Sequence, residues 1–148
     1  GLTLIPYLDG ERTPDVPGAR GSLHGMTRAN MTSTNMARAG VEGMLCGLAD
    51  AVDALIAVGV KPRRVMLIGG AAASPAVQHV AAGLFGGEVT VPPAGEYVAV
   101  GAARQAAWAL SGAANPPEWD HDGAQIVRAE ETPEVRAAYH AARGSLTF

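Results

Sequence analysis

The residues best placed to do chemistry are Gly69, Gly70, Ala71, Ala72, Ala73 and Ser74, which follow the short apolar run Val65, Met66, Leu67 and Ile68 and precede Pro75. An apolar run of that length predicts a strand buried on both faces. The glycine pair predicts a sharp turn with bare backbone, because glycine reaches positive φ without steric cost. Ser74 and Pro75 predict a helix start, serine as the N-cap and proline at the first helical position. Val77, Val80, Ala81 and Leu84 continue at helical spacing. A strand, a glycine turn and a helix N-terminus place orphan N–H groups at the carboxyl end of a strand. Open α/β sheets hold their ligands there, and such groups favour anions or polar ligand edges. The same junction also serves as a plain turn in many α/β proteins, so the motif needs support from its flanks.

The flanks supply some. Glu88–Val91 reads as a second short strand ended by Pro92 and Pro93. Strand, helix, strand and helix in that order predict parallel strands joined by a right-handed crossover. A dinucleotide site would need G-x-G-x-x-G and an acid after the second strand, where this chain has two prolines, so an NAD domain is disfavoured.

Other chemistry-bearing residues are scattered. Glu11, Arg12 and Arg20 lie in a Gly- and Pro-rich stretch, 9–25, expected to be a long ordered loop; they could bind phosphate or a sugar, or simply pair with one another. The acidic patch Trp119, Asp120, His121 and Asp122 could touch a cation, but reads more simply as a solvated turn. The histidines His24, His79, His121 and His140 show no metal-ligand spacing. Cys46 is the sole cysteine and reads as a small core residue.

Several elements must position the turn. Residues 2–7 suggest a short strand, with Pro6 favouring an edge or a loop. The longest helix is expected over 34–58, with Val41, Met44, Leu45, Leu48, Val52, Leu55 and Ile56 on one stripe. Arg38 and Glu42 stand four apart and can pair. Gly40, Gly43 and Gly47 each cost about 1 kcal/mol in a helix, which suggests that another backbone approaches closely. Gly59 ends that helix. A second long helix over 96–110, made mostly of small residues, ends at Gly112; Gly101, Ala102 and Ala106 are expected to lie against the glycine turn. Residues 113–122 read as a linker, and Thr132 and Pro133 start a last helix through Ala142, anchored by Tyr139.

The chain has 148 residues, 48% of them apolar, enough for the core of one domain. A net charge of −3 with scattered charges indicates neither a nucleic-acid nor a membrane-binding face. Without a signal peptide or a long apolar run, the expected location is the cytoplasm. The chain opens on Gly1, Leu2, Thr3 and Leu4, with no initiator methionine, which suggests a fragment.

Pro6, Tyr7, Leu8, Asp9, Gly10, Glu11, Arg12, Thr13 and Pro14 resemble the P-Y-L-x-G-E-R-T-P stretch of the xylulose kinase branch of the FGGY family of carbohydrate kinases. Gly21, Leu23, Gly25 and Met26, then Asn35, Met36, Ala39, Val41 and Glu42, are similar to the two halves of that family's C-terminal signature. Residues 69–74 resemble its adenosine motif G-G-[GA]-A-x-S, and Gly101, Ala102 and Ala103 its later G-A-A. Departures from the family pattern are Gly40, Ala73, Val77, His79 and Gly83, where a larger residue, Lys or Arg, Trp, Gln and Asp are usual.

The resemblance implies an α/β fold, part of an actin-like, ribonuclease-H-like ATPase lobe, with a short parallel sheet that is incomplete in this chain. It implies residues 1–112 as the adenosine side of the C-terminal lobe and 113–148 as a linker and short helix. Gly69, Gly70, Ala71, Ala72 and Ser74 would bind the nucleotide. ATP with Mg2+ would be the cofactors and a ketose the substrate. No catalytic residue or metal ligand is expected in this chain, so the isolated fragment should be inactive; its sheet is too small for a full lobe and leaves a sheet edge and an apolar helix face uncovered, so it should self-associate, a homodimer included. The implied reaction is phosphorylation of D-xylulose to xylulose 5-phosphate. The alternatives are a kinase of the same family for ribulose, gluconate or glycerol, or a non-catalytic adenine-nucleotide-binding or interaction module.

Overall fold

The computed structural model describes residues 1–119 and 123–146. In chain order the elements are β1 (Thr3–Ile5), β2 (Ser22–His24), α1 (Ser33–Ala57), a 3-10 turn (Gly70–Ala73), α2 (Pro75–Leu84), β3 (Glu88–Val91), α3 (Tyr97–Ser111), β4 (Gln125–Arg128) and α4 (Pro133–Gly144). The candidate cation contact at Asp120, His121 and Asp122 lies outside the described residues.

Two antiparallel pairs form the sheets. β1 pairs with β2 through Leu4 opposite Leu23, and β3 with β4 through Val89 opposite Val127. The expected parallel sheet is therefore corrected. Residues 65–68 make one parallel bridge, Met66 to Thr90, in which the Leu67 N–H donates to the Thr90 carbonyl and the Thr90 N–H to that of Val65. They do not extend into a strand, and Met66 and Ile68 are exposed instead of buried. The physical reason is edge occupancy. β3 has β4 on one edge and only this bridge on the other, and no described strand lies beyond it.

β4 itself falls in a stretch read as linker and helix. Gly123, at φ 86°, turns the chain so that Ile126 and Val127 return along β3. Likewise, the loop over 9–25 is not wholly loop, since its end supplies β2.

α1 starts where the sequence places it. The Thr32 side chain accepts from the Asn35 N–H, and the Arg38–Glu42 pair closes at 2.6 Å. Its end is a Schellman motif, with Gly59 at φ 93° donating to Ile56 and Val60 donating to Leu55. The stripe predicted to be buried is only partly so. Leu45 is buried, but Met44, Leu48, Leu55 and Ile56 are exposed. The buried face is instead built from small residues, Ala39, Gly43, Cys46 and Ala49, beside Leu45. A Cβ on Gly43 would stand 2.3 Å from the Leu4 carbonyl oxygen, so β1 crosses α1 at backbone contact there. Gly40 has no such neighbour, and Gly47 has only the Tyr139 hydroxyl at 3.7 Å.

The core joins Ile5 and Tyr7 from the first hairpin, Leu45 and Cys46 from α1, and Val77, Ala81 and Leu84 from α2. Val89 and Tyr139 complete it; Tyr139 is 1% exposed, the anchor the sequence predicted. Burial raises the Tyr139 hydroxyl pKa, and a hydrogen bond with Tyr7 adds to the shift.

α3 departs most from expectation. It has the predicted limits and stops at Gly112 in the left-handed conformation, yet it buries no residue. Gly101, Ala102 and Ala106 are exposed rather than laid against the glycine turn. Small side chains permit close packing but supply little apolar area to drive it. The helix is tied by polar bonds to the segment that follows it, from the Arg104 guanidinium to the Pro117 carbonyl and from the Trp108 ring N–H to that of Ala113. Val98 and Leu110, 84% and 91% exposed, face outward.

Candidate functional site

The glycine turn opens onto a cavity of about 510 Å³. That volume is within the usual range for a small-molecule site. One wall is the turn itself. Gly69 takes φ 95° and ψ 175°, a conformation open almost only to glycine. Gly70 does not share it. Instead, a Cβ built on Gly70 meets no described atom within 4 Å, so this glycine leaves open space rather than enabling a strained bend. The Ala72 N–H donates to the Gly69 carbonyl, and this first bond of the turn leaves the N–H groups of Gly70 and Ala71 ahead of it.

The opposite wall is the loop between β3 and α3, Pro92 to Tyr97, in which the Tyr97 hydroxyl donates to the Pro93 carbonyl at 2.6 Å. Val91 and Leu67 form the floor, and Gly123 and Gln125 reach in from the C-terminal hairpin. Glu96 is the only charged residue among the described lining. The cavity is therefore suited to an uncharged, partly apolar group and offers no cation to a phosphate chain.

Of the residues singled out in the sequence, Gly69, Gly70 and Ala72 line the cavity, whereas Ala71 and Ser74 do not. Ser74 stands at the N-cap of α2 with no capping bond from its side chain, and its carbonyl accepts from the Gln78 N–H. Gln78 was missed. It lines the cavity and its side-chain Nε2 donates to the Ala72 carbonyl at 2.7 Å. It follows Ser74 by one helical turn, a spacing that would have placed it on the same face.

Of the two readings of Glu11, Arg12 and Arg20, mutual ion pairing is not formed among the described residues. Glu11 accepts from the backbone N–H groups of Arg12 and Thr13, and Arg20 donates to the carbonyls of Gly18 and Ala19. These bonds shape the loop.

A second, polar cluster was not foreseen. Asp50 on α1, its side chain 18% exposed, is met by Arg136, His140 and Arg143 of α4, and Arg136 also reaches Asp53. The three α4 residues fall at four- and three-residue steps, one face of a helix, which was the available signal. His140 and Arg143, with Asp50 and Asp53, border a separate cavity of about 960 Å³ between α1, α4 and the loop containing Tyr7 and Glu11.

Comparison with known proteins places this geometry. The C-terminal domain model of the FGGY family of carbohydrate kinases matches residues 1–110. A xylulose kinase of Streptomyces rubiginosus is 39% identical over 138 residues, covering 90% of this chain and 28% of that protein. A glycerol kinase of Rhodopirellula baltica is 35% identical over 137 residues, 91% of this chain and 24% of that protein. Among solved structures, xylulose kinase from Bifidobacterium adolescentis superposes with a TM-score of 0.78 at 48% identity, over 97% of this chain and 28% of that one. The chain thus spans a little over a quarter of the length of the xylulose kinases it matches.

Proposed function

The chain belongs to the FGGY family of carbohydrate kinases, and from that premise we propose that it forms the adenosine side of an ATP-dependent kinase that phosphorylates D-xylulose to xylulose 5-phosphate. Its α/β elements are part of that family's actin-like lobe. The observation that carries the reading is the cavity beside Gly70, open, apolar and lacking a cation among its described lining. That is the environment for a nucleoside, with the phosphates directed out of it.

In this reading Gly69, Gly70, Ala71, Ala72 and Ser74 form the nucleotide-binding turn. Gly69 sets the bend and Gly70 leaves room for the ligand. The N–H group of Gly70 meets a polar edge of the nucleoside. Bound ATP supplies the phosphoryl group, and Mg2+ neutralises its charge, with ligands mostly outside this chain. Such transfers depend mainly on positioning and charge neutralisation, and this chain contributes positioning. The base and the ketose pocket come from elsewhere in the complete protein. Residues 1–112 form the adenosine-side unit and 113–148 its C-terminal extension. The exposed side of α3 and the free edge at 65–68 are then surfaces that the rest of the lobe covers. The isolated chain would self-associate through them. No described helix is long and apolar enough to cross a membrane, in keeping with a cytoplasmic site of action.

The similarity to a glycerol kinase supports one second reading, a kinase of the same family with another polyol or sugar substrate. ADP release by the complete protein, followed with D-xylulose, ribulose, gluconate and glycerol in turn, tests both. Turnover highest with xylulose is the expected result. Turnover highest with glycerol selects the second reading, and ATP binding without turnover on any of them leaves a nucleotide-binding module.

A further inference from the structure

Gln78 is a polar side chain of the cavity whose amide orientation is fixed by a hydrogen bond. Its Nε2 donates to the Ala72 carbonyl at 2.7 Å, and a carbonyl oxygen accepts only from an N–H. The amide therefore cannot turn over without losing this bond. Its Oε1 has no hydrogen-bond partner among the described residues and is not sealed from solvent. The result is a pinned acceptor on a half-buried residue in the wall of a cavity otherwise rich in apolar surface. Leu67, Val91 and Pro92 form that surface, and a planar ring loses water against it more readily than a hydroxyl-rich sugar does.

We infer that Gln78 is the base-reading residue of the site, its Oε1 accepting a hydrogen bond from the 6-amino group of a purine and so selecting adenine over 6-oxo purines. The inference rests on the nucleotide reading of the cavity. A 6-amino group brings a donor to Oε1. A 6-oxo group brings a second acceptor, leaving two oxygens facing each other in a site that excludes much of the water. Ala73 and Ser74, between the glycine turn and α2, carry no competing acceptor on the cavity wall: Ala73 lines it with a methyl group, and Ser74 lies outside it.

The test is a set of calorimetric titrations of the complete protein with ATP, ITP and 2′-deoxy-ATP, repeated on Gln78→Met. Methionine keeps the length of the side chain and removes the amide. Wild type is expected to bind ATP about 3- to 10-fold more tightly than ITP, the value of one neutral hydrogen bond. It should bind 2′-deoxy-ATP about as tightly as ATP. In Gln78→Met the ratio of ATP to ITP affinity should fall towards one, through weakened ATP binding, with the melting temperature used to confirm that the variant is folded. If that variant does not fold, the wild-type ratio still decides.

Equal binding of ATP and ITP by the wild type overturns the inference and leaves the nucleotide site standing. Discrimination against 2′-deoxy-ATP but not ITP overturns it too, assigning Oε1 to the ribose. An unchanged ATP to ITP ratio in folded Gln78→Met removes the role from this residue. Failure of all three nucleotides to bind the wild type removes the nucleotide reading itself.

Discussion

Substituting Gly70 by valine separates a ligand role for the glycine turn from a folding role, because the two glycines differ in what they need. Gly69 holds φ 95° and ψ 175°, so Gly69→Ala should destabilise the fold by about 1–3 kcal/mol whatever binds nearby. Gly70 is under no such constraint, and its added Cβ would enter open space on the cavity side. Gly70→Val should therefore leave the melting temperature close to wild type while placing three carbon atoms where the nucleoside is proposed to lie. Overfilling a packed contact costs about 1–3 kcal/mol, which corresponds to an increase of about 5- to 150-fold in the KM for ATP. The sugar KM should change little if this chain contributes the adenosine side as proposed. The assay is steady-state kinetics of the complete protein with each substrate varied in turn, alongside thermal denaturation of the same preparations. An unchanged KM for ATP in folded Gly70→Val, or an equal rise in both KM values, would refute the reasoning.

Three further outcomes follow from the packing. Gly43→Ala should cost about 1–3 kcal/mol in denaturant unfolding, because its Cβ would meet the Leu4 carbonyl. Gly40→Ala on the same helix meets nothing and should gain up to about 1 kcal/mol. Asp50→Ala leaves His140 and Arg143 of α4 without the carboxylate they meet on α1, and Arg136 with Asp53 alone. A loss of about 2 kcal/mol is expected, between the exposed and the buried limits, and a stability equal to wild type would show the cluster to be ornamental. Burial raises the Cys46 thiol from an ordinary value of 9.0 to about 11. Between those values the folded protein keeps a proton that the unfolded chain releases, so stability should fall as pH rises from 9 to 11. Cys46→Ala should flatten that part of the pH profile of the unfolding free energy, and the native thiol should stay unreactive towards thiol reagents at pH 8.

Local chemistry was legible in the sequence wherever a residue type dictates its own backbone state. Gly59, Gly69 and Gly112 all take positive φ where the chain must turn, and Pro75 opens α2 at the position where its missing N–H costs nothing. The limits of α1, α2 and β3 follow from such signals, and Tyr139 was identifiable as an anchor because it is the bulky aromatic on an otherwise polar helix. The family was legible too, through short motifs held at fixed gaps over residues 1–110.

Which faces are covered was decided by tertiary structure. The large residues of α1 and the small ones of α3 gave expectations opposite to the outcome: Met44 and Leu48 are exposed, and so are Gly101, Ala102 and Ala106, whereas the close approach expected at Gly43 is made by β1. Periodicity marks an apolar face, but burial depends on which elements reach it, and here β1 crosses the small-residue side. β4 pairs with β3 across 33 intervening positions from Val91 to Gln125, a contact with no local signature beyond Ile126 and Val127. The Asp50 cluster and the pinned amide of Gln78 have the same origin. Each depends on distances between atoms that the one-dimensional order of residues does not specify, and only packing of the chain sets those distances.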